Sequence, residues 1–145
     1  MKVIKSEKGQ NGTLIHYSDI ENTLESMQQV VGGLIEPIAI AQFEQNGVHY
    51  NVELVCNEEG KLQNLDYMAF IDYGDSFCWY DEIMGDFFIA LANTDSGEFE
   101  SIPEWLYKIL DECFTHTNYN EFINDYQVLY IEVEYIQKEI QKYVK

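Results

Sequence analysis

The chain has 145 residues, 46% of them hydrophobic, with eleven Tyr, eight Phe and two Trp, enough to build the core of one domain. Twenty-six Asp and Glu stand against eight Lys and no Arg, a formal net charge of −18. The aromatic content excludes disorder, which combines high charge with few aromatics, and the charge excludes direct binding to nucleic acid or anionic lipid while favouring basic clefts.

In chain order, Met1 to Ser6 and Thr13 to Tyr17 are short apolar-polar runs around turn-forming Glu7–Gly12, which predicts a β-hairpin. Ser18 to Thr23 is a helix entrance, with capping-box spacing at Ser18/Glu21 and Asn22/Glu25. Leu24, Met27, Gln28 and Val31 follow one helical face, and Gly32-Gly33 supplies the left-handed stop. Leu34 to Phe43 and Val48 to Cys56 predict strands joined by Asn46-Gly47, the strongest short hairpin signal. The second strand alternates, with Val48, Tyr50, Val52, Leu54 and Cys56 on one face.

After the turn at Asn57 to Lys61, Leu62 to Phe70 reads as a short helix or an irregular segment, and Ile71 to Tyr80 is ambiguous. Ile83 to Leu91 predicts a central strand, and Asn93 to Gly97 a turn. Pro103 after Ser101 starts a helix whose apolar face is Trp105, Leu106, Ile109, Leu110, Cys113 and Phe114, broken at Thr115 to Asn118. From Tyr119 onwards, Phe122, Tyr126, Leu129, Val133, Ile136, Ile140 and Tyr143 are spaced as a heptad seam. That seam fits a homodimer through Phe122, Tyr126, Leu129, Val133, Ile136 and Ile140, or an amphipathic helix packed on its own sheet, with packing favoured. The expected fold is α+β: an antiparallel sheet of about four to five strands, one crossing helix and two C-terminal helices. Hairpin-linked strands argue against a parallel sheet. The expected division is an acidic α+β domain over 1–100 and a helical segment over 101–145.

The depletion of cations is regional. From Gly9 to Tyr107, one lysine, Lys61, faces eighteen carboxylates. The densest acidic set is Glu58, Glu59, Asp66, Asp72, Asp75, Asp81, Glu82, Asp86, Asp95, Glu98, Glu100 and Glu104, with Tyr67, Tyr73 and Tyr80 as possible aromatic anchors for a partner. Chemistry is weakly signalled. Asp72/Asp75 and Asp81-Glu82 could gather around a calcium ion, but Asn93-x-Asp95-x-Gly97 fails the register of a calcium loop, its glycine falling fifth rather than sixth, and His16, His49 and His116 are scattered. Cys56, Cys78 and Cys113 form no Cys-x-x-Cys pair, as expected of reduced, buried thiols. There is no Walker loop and no Gly-x-Ser-x-Gly. The expectation is no catalysis, no metal and no cofactor. The N-terminus lacks an apolar signal region and no apolar run approaches the roughly 20 residues that span a bilayer, so an intracellular location is expected.

Four segments occur in order: Leu24-Glu25-Ser26-Met27-Gln28, Val31-Gly32-Gly33-Leu34-Ile35-Glu36, Val55-Cys56-Asn57-Glu58-Glu59-Gly60-Lys61-Leu62 and Tyr80-Asp81-Glu82-Ile83-Met84-Gly85-Asp86-Phe87. On these the chain, from about Ile20 to Leu110, resembles a family of small proteins of unknown function from phages and other mobile genetic elements. Members place a proline-asparagine-arginine run after the third motif, where this chain reads Asn64-Leu65-Asp66-Tyr67-Met68. The resemblance implies the cytoplasm of a bacterial host. Charge and resemblance together lead to an expectation by analogy: an acidic inhibitor of a host defence nuclease, an anti-CRISPR that occupies a DNA-binding surface of a Cas effector by DNA mimicry, or a related anti-restriction protein. The alternative is a non-enzymatic interaction or small-ligand-binding module.

Overall fold

Apolar-polar alternation builds two sheets in the computed structural model, which describes residues 1–74, 79–116, 122–123 and 126–144. The larger sheet contains β1 (Lys2–Gly9), β2 (Gly12–Asp19), β3 (Ile35–Gln45), β4 (Val48–Asn57), β7 (Phe88–Asn93) and the short β8 (Glu98–Glu100). Its order is β2-β1-β7-β4-β3, with β8 also on β7, and every pair is antiparallel. A second sheet of three strands, β11-β5-β6, joins β5 (Tyr67–Asp72), β6 (Tyr80–Met84) and β11 (Leu129–Glu132). A two-residue pair, β9 (Phe122–Ile123) with β10 (Tyr126–Gln127), lies between the last two helices in sequence. The helices are α1 (Leu24–Val31), α2 (Glu104–His116) and α3 (Val133–Val144). The class is α+β, as expected.

The sheets and helices form layers around two cores. On one face of the larger sheet, Val3, Val55, Phe88 and Ala90 pack against Met27 and Val31 of α1. On the other face, Ile4, Val52, Leu54 and Ile89 meet Ala69, Ile71 and Ile131 of the second sheet, with Leu106 and Leu110 of α2 and Ile136 and Ile140 of α3. The C-terminal segment therefore packs on the domain. Cys56 and Cys113 are buried, and burial pushes both thiols up to about 12, far from the thiolate that nucleophilic chemistry needs.

Local signals are obeyed at the turns. Asn46 (φ 54°) and Gly47 (φ 79°) form the two-residue hairpin between β3 and β4, and Gly32 ends α1 in the left-handed region with its N–H bonded to the Gln28 carbonyl. The α1 cap falls elsewhere than expected. Thr23 Oγ1 accepts from the Ser26 N–H, whereas Ser18 lies in β2 and the Asn22 amide donates to the Phe99 carbonyl. The first hairpin is also longer than predicted: Gly9 pairs with Gly12, leaving Gln10-Asn11 as the loop.

Two expectations are overturned and an open one is decided, each by long-range pairing. Ile83 to Leu91 is not one strand: β6 ends at Met84, Gly85 takes φ 95° and donates to the Asp66 carbonyl, and β7 starts at Phe88 in the other sheet. Ser6 holds the crossing point, its Oγ accepting from the Phe87 N–H at 2.8 Å and its N–H donating to the Phe87 carbonyl at 2.9 Å. Leu62 to Phe70 takes the irregular alternative as far as Asp66, and Tyr67 then begins β5. The heptad seam is not one helix either, because Leu129 to Glu132 form a strand parallel to β5 and, among the described residues of the seam, Val133–Val144 alone is helical. A parallel pair needs a long crossover, here the passage through β6, β7, β8 and α2. In this fold Leu129, Ile136 and Ile140 are buried in the chain's own core.

α3 lies along the outer edge of β3. Gln137 Oε1 accepts from the Gln42 N–H at 2.8 Å and its Nε2 donates to the Gln42 carbonyl at 2.6 Å. One side-chain amide thus satisfies both edge groups that would otherwise template another strand.

Candidate partner-binding surface

Each strand of the second sheet carries an aromatic residue and, two positions on, a carboxylate: Phe70-Ile71-Asp72, Tyr80-Asp81-Glu82 and Tyr130-Ile131-Glu132. A spacing of two puts both on one face of a strand. Ala69, Ile71 and Ile131 fill the core on the inner face, so these six lie on the outer one. Antiparallel pairing sets Phe70 beside Glu82 and Asp72 beside Tyr80. Parallel pairing sets Phe70 beside Tyr130 and Asp72 beside Glu132. The result is two cross-strand rows, Glu82/Phe70/Tyr130 and Tyr80/Asp72/Glu132.

The aromatic rings form a continuous ladder. Phe70 stacks on Tyr80 at 5.1 Å (18°) and on Tyr130 at 5.5 Å (20°). The Tyr130 hydroxyl donates to Asp72 Oδ2 at 2.5 Å, and the Gly74 N–H donates to Asp72 Oδ1 at 2.8 Å. Tyr67 lies beside Glu82; burial, then the neighbouring carboxylate, raise its phenol above the usual range. Tyr80 is 61% exposed and the adjoining Trp79 67%. Of the three predicted anchors, Tyr80 is open to solvent, Tyr67 is half-buried, and Tyr73 is half-buried against the main core.

The remaining acidic residues are dispersed over the molecule. Glu58 and Glu59 are exposed on the turn after β4, and Glu98 is exposed on β8. Asp66 pairs with Lys8 at 3.0 Å, Asp81 with Lys61 at 3.3 Å and Glu104 with Lys108 at 3.3 Å. Glu100 accepts from the Asn93 amide at 2.8 Å. Asp95 accepts from the His49 N–H at 3.0 Å, which with the His49 ring holds its carboxyl below the usual range. Asp75 and Cys78 lie outside the described residues, as do Thr117 and Asn118 of the expected helix break. Of the described acidic set, Asp72 and Glu82 share the aromatic face and the others do not. Phe70, Tyr130 and Glu132 belong to that face and were missed, although the repeated aromatic-x-acid triplet was there to be read.

Asp86 shows the cost of crowding carboxylates. The Asp86 side chain is exposed, but the protein packed beside it partly desolvates the carboxyl, and with the charge of Asp66 this raises its pKa, against a smaller pull from Lys5. A raised carboxyl pKa means that the fold prefers the neutral acid, so its stabilising contribution is present below the unfolded pKa and is lost as pH rises through the folded one. Asp86→Asn is therefore expected to raise the melting temperature at neutral pH and to leave it unchanged near about pH 3, where both forms are neutral. Melting curves at the two pH values check this; an equal shift at both would assign the effect to something other than charge.

Among the described residues, no group of three or more His, Cys, Asp and Glu is placed to hold a metal ion, and no helix is long and apolar enough to cross a membrane. The fold and its surface define a small acidic α+β domain with an aromatic-carboxylate sheet face. The chain belongs to the family described as a domain of unknown function, DUF3846, whose model matches residues 1–115. The match starts at the first strand rather than near Ile20 and takes in nearly all of α2. Neither a curated protein nor a solved structure was found to match the chain.

Proposed function

We propose that the protein is a non-enzymatic acidic inhibitor that engages a basic nucleic-acid-binding protein through its carboxylate surface, as a mimic of DNA. The particular case is a phage-encoded anti-CRISPR acting on a Cas effector in the bacterial cytoplasm, with an anti-restriction protein as the neighbouring case. One observation carries this reading: every described member of the acidic set is exposed or half-buried, and none is spent in the core. Carboxylates held on a rigid sheet and its turns can replace phosphates on a partner built to meet one negative charge per roughly 1.7 Å of duplex. Positively charged heteroduplex channels and guanine-reading arginines are natural docking points.

The test is capture of basic nucleic-acid-binding proteins from a bacterial lysate, with duplex DNA as competitor, across a salt series. Binding is expected at low salt, displaced by DNA, and lost towards about 1 M NaCl, where the Debye length is roughly 3 Å. A complex indifferent to both salt and DNA would overturn the mimicry. A second reading, a small-ligand module, is favoured by one feature, a cleft of about 540 Å³ between the β1–β2 hairpin and the start of β5, lined by Lys8, Thr13, Asp66, Tyr67 and Met68 among others. Saturable thermal stabilisation by a nucleotide would support that reading.

A further inference from the structure

We propose that the outer face of the second sheet is a docking site for an arginine-bearing segment of a basic protein, with a guanidinium laid on the open ring of Tyr80 at the end of the Phe70 stack and paired to the carboxylates of Asp72, Glu82 and Glu132. This deepens the acidic-partner reading above and rests on it.

The argument from charge begins with pairing. Asp72 and Glu132 occupy adjacent register positions on parallel strands, and like charges side by side across a sheet destabilise it. Among the described residues, no lysine pairs with Asp72, Glu82 or Glu132, and β5, β6 and β11 contain no lysine. The face therefore carries negative charge that its own fold leaves without a counter-cation.

The aromatic component selects the kind of cation. A planar guanidinium stacks on a ring and bonds a carboxylate through two parallel N–H groups at once; a lysine ammonium is a hydrated point charge that cannot do both. Phe70 stands between Tyr80 and Tyr130 in the stack, so the ring that a guanidinium can cover is Tyr80, 61% exposed and beside Asp72 across the strands. Nucleic acid is disfavoured by the same carboxylates, and a plain metal ion makes no use of the rings. Cation–π contact adds to the ion pairs on such a surface.

The test uses the full chain with octa-arginine and octa-lysine peptides as probes, titrated at about 50 mM and about 150 mM NaCl. Binding is followed by Trp79 fluorescence and by ring-proton shifts of Phe70, Tyr80 and Tyr130. Octa-arginine is expected to bind severalfold more tightly than octa-lysine and to shift those rings. Tyr80→Ser, at an exposed position, is expected to weaken octa-arginine binding roughly five-fold while leaving octa-lysine nearly unchanged. Asp72→Asn is a second variant, whose Oδ1 can still accept from the Gly74 N–H while its Nδ2 donates to the Tyr130 oxygen, and it is expected to weaken octa-arginine binding by a similar factor. Equal affinity for the two peptides, silent rings, and a loss with Glu58→Gln/Glu59→Gln as large as with Tyr80→Ser would overturn this site while leaving the acidic-partner reading intact. Failure of both peptides to bind at the lower salt would overturn both.

Discussion

Phe87→Ala is expected to destabilise the protein by about 3–5 kcal/mol, the range for removing a buried phenylalanine ring. Phe87 is fully buried in the main core, while its neighbour Phe88 is fully buried on the opposite face of the larger sheet, towards α1. The two adjacent rings therefore anchor both cores from one point in the chain. The Phe87 backbone is held by Ser6 through both its N–H and its carbonyl, so the main chain is poorly placed to collapse into the space left by the ring. Against a total stability of about 5–15 kcal/mol, the loss is a large fraction of the whole. Urea unfolding should show a lowered midpoint with an unchanged slope. Leu62→Ala, at a residue 84% exposed, should fall within about 0.5 kcal/mol of the parent. A Phe87→Ala loss below about 1 kcal/mol would mean that the two sheets do not share the core described.

Gly60→Ala should cost about 1–3 kcal/mol, and more if the chain cannot yield. A Cβ on Gly60 would stand 2.2 Å from the Met84 carbonyl oxygen, a backbone atom that no side-chain rotation can move aside. Gly60 is buried in the turn between β4 and β5, where its carbonyl accepts from the Leu65 N–H and its N–H donates to the Asn57 carbonyl. Relief of the clash has to come from the Met84–Gly85 segment, and Gly85 is itself bonded to the Asp66 carbonyl. The strain passes into β6, which carries Tyr80 and Glu82. Near-ultraviolet circular dichroism should change together with the melting temperature, and octa-arginine binding should weaken in the same variant. Glu59→Ala, one residue away and exposed, should leave all three signals near the parent. A Gly60→Ala protein of unchanged stability would show that the turn does not press on β6 as described.

How far each level of structure could be read depended on the range of the forces behind it. The Asn46-Gly47 hairpin and the Gly32 stop depend on backbone conformations that a few residue types adopt cheaply, and they appear where predicted. The α1 cap moved because β2 runs on to Asp19 and draws Ser18 into a ladder. The apolar run from Ile83 to Leu91 has the composition of one strand, and only the Gly85 bend and the Ser6 clamp divide it between two sheets. Heptad spacing from Phe122 to Tyr143 is the same whether Leu129 sits in a helix or a strand. The β5 partnership decides, because Leu129 and Ile131 then bury against Ala69 and Ile71.

The candidate surface divides in the same way. From the sequence alone came the sign and region of the charge, the turns, the α+β class and the scarcity of cations among the carboxylates; these depend on residue identity and on neighbours a few positions apart. Tertiary structure decided which carboxylates share a face. Phe70, Tyr80 and Tyr130 are distant in the chain and meet only because one antiparallel and one parallel ladder converge on β5. Strand pairing is chosen by burial of the inner face and by hydrogen-bond partners far away in sequence, and a local pattern does not contain that choice.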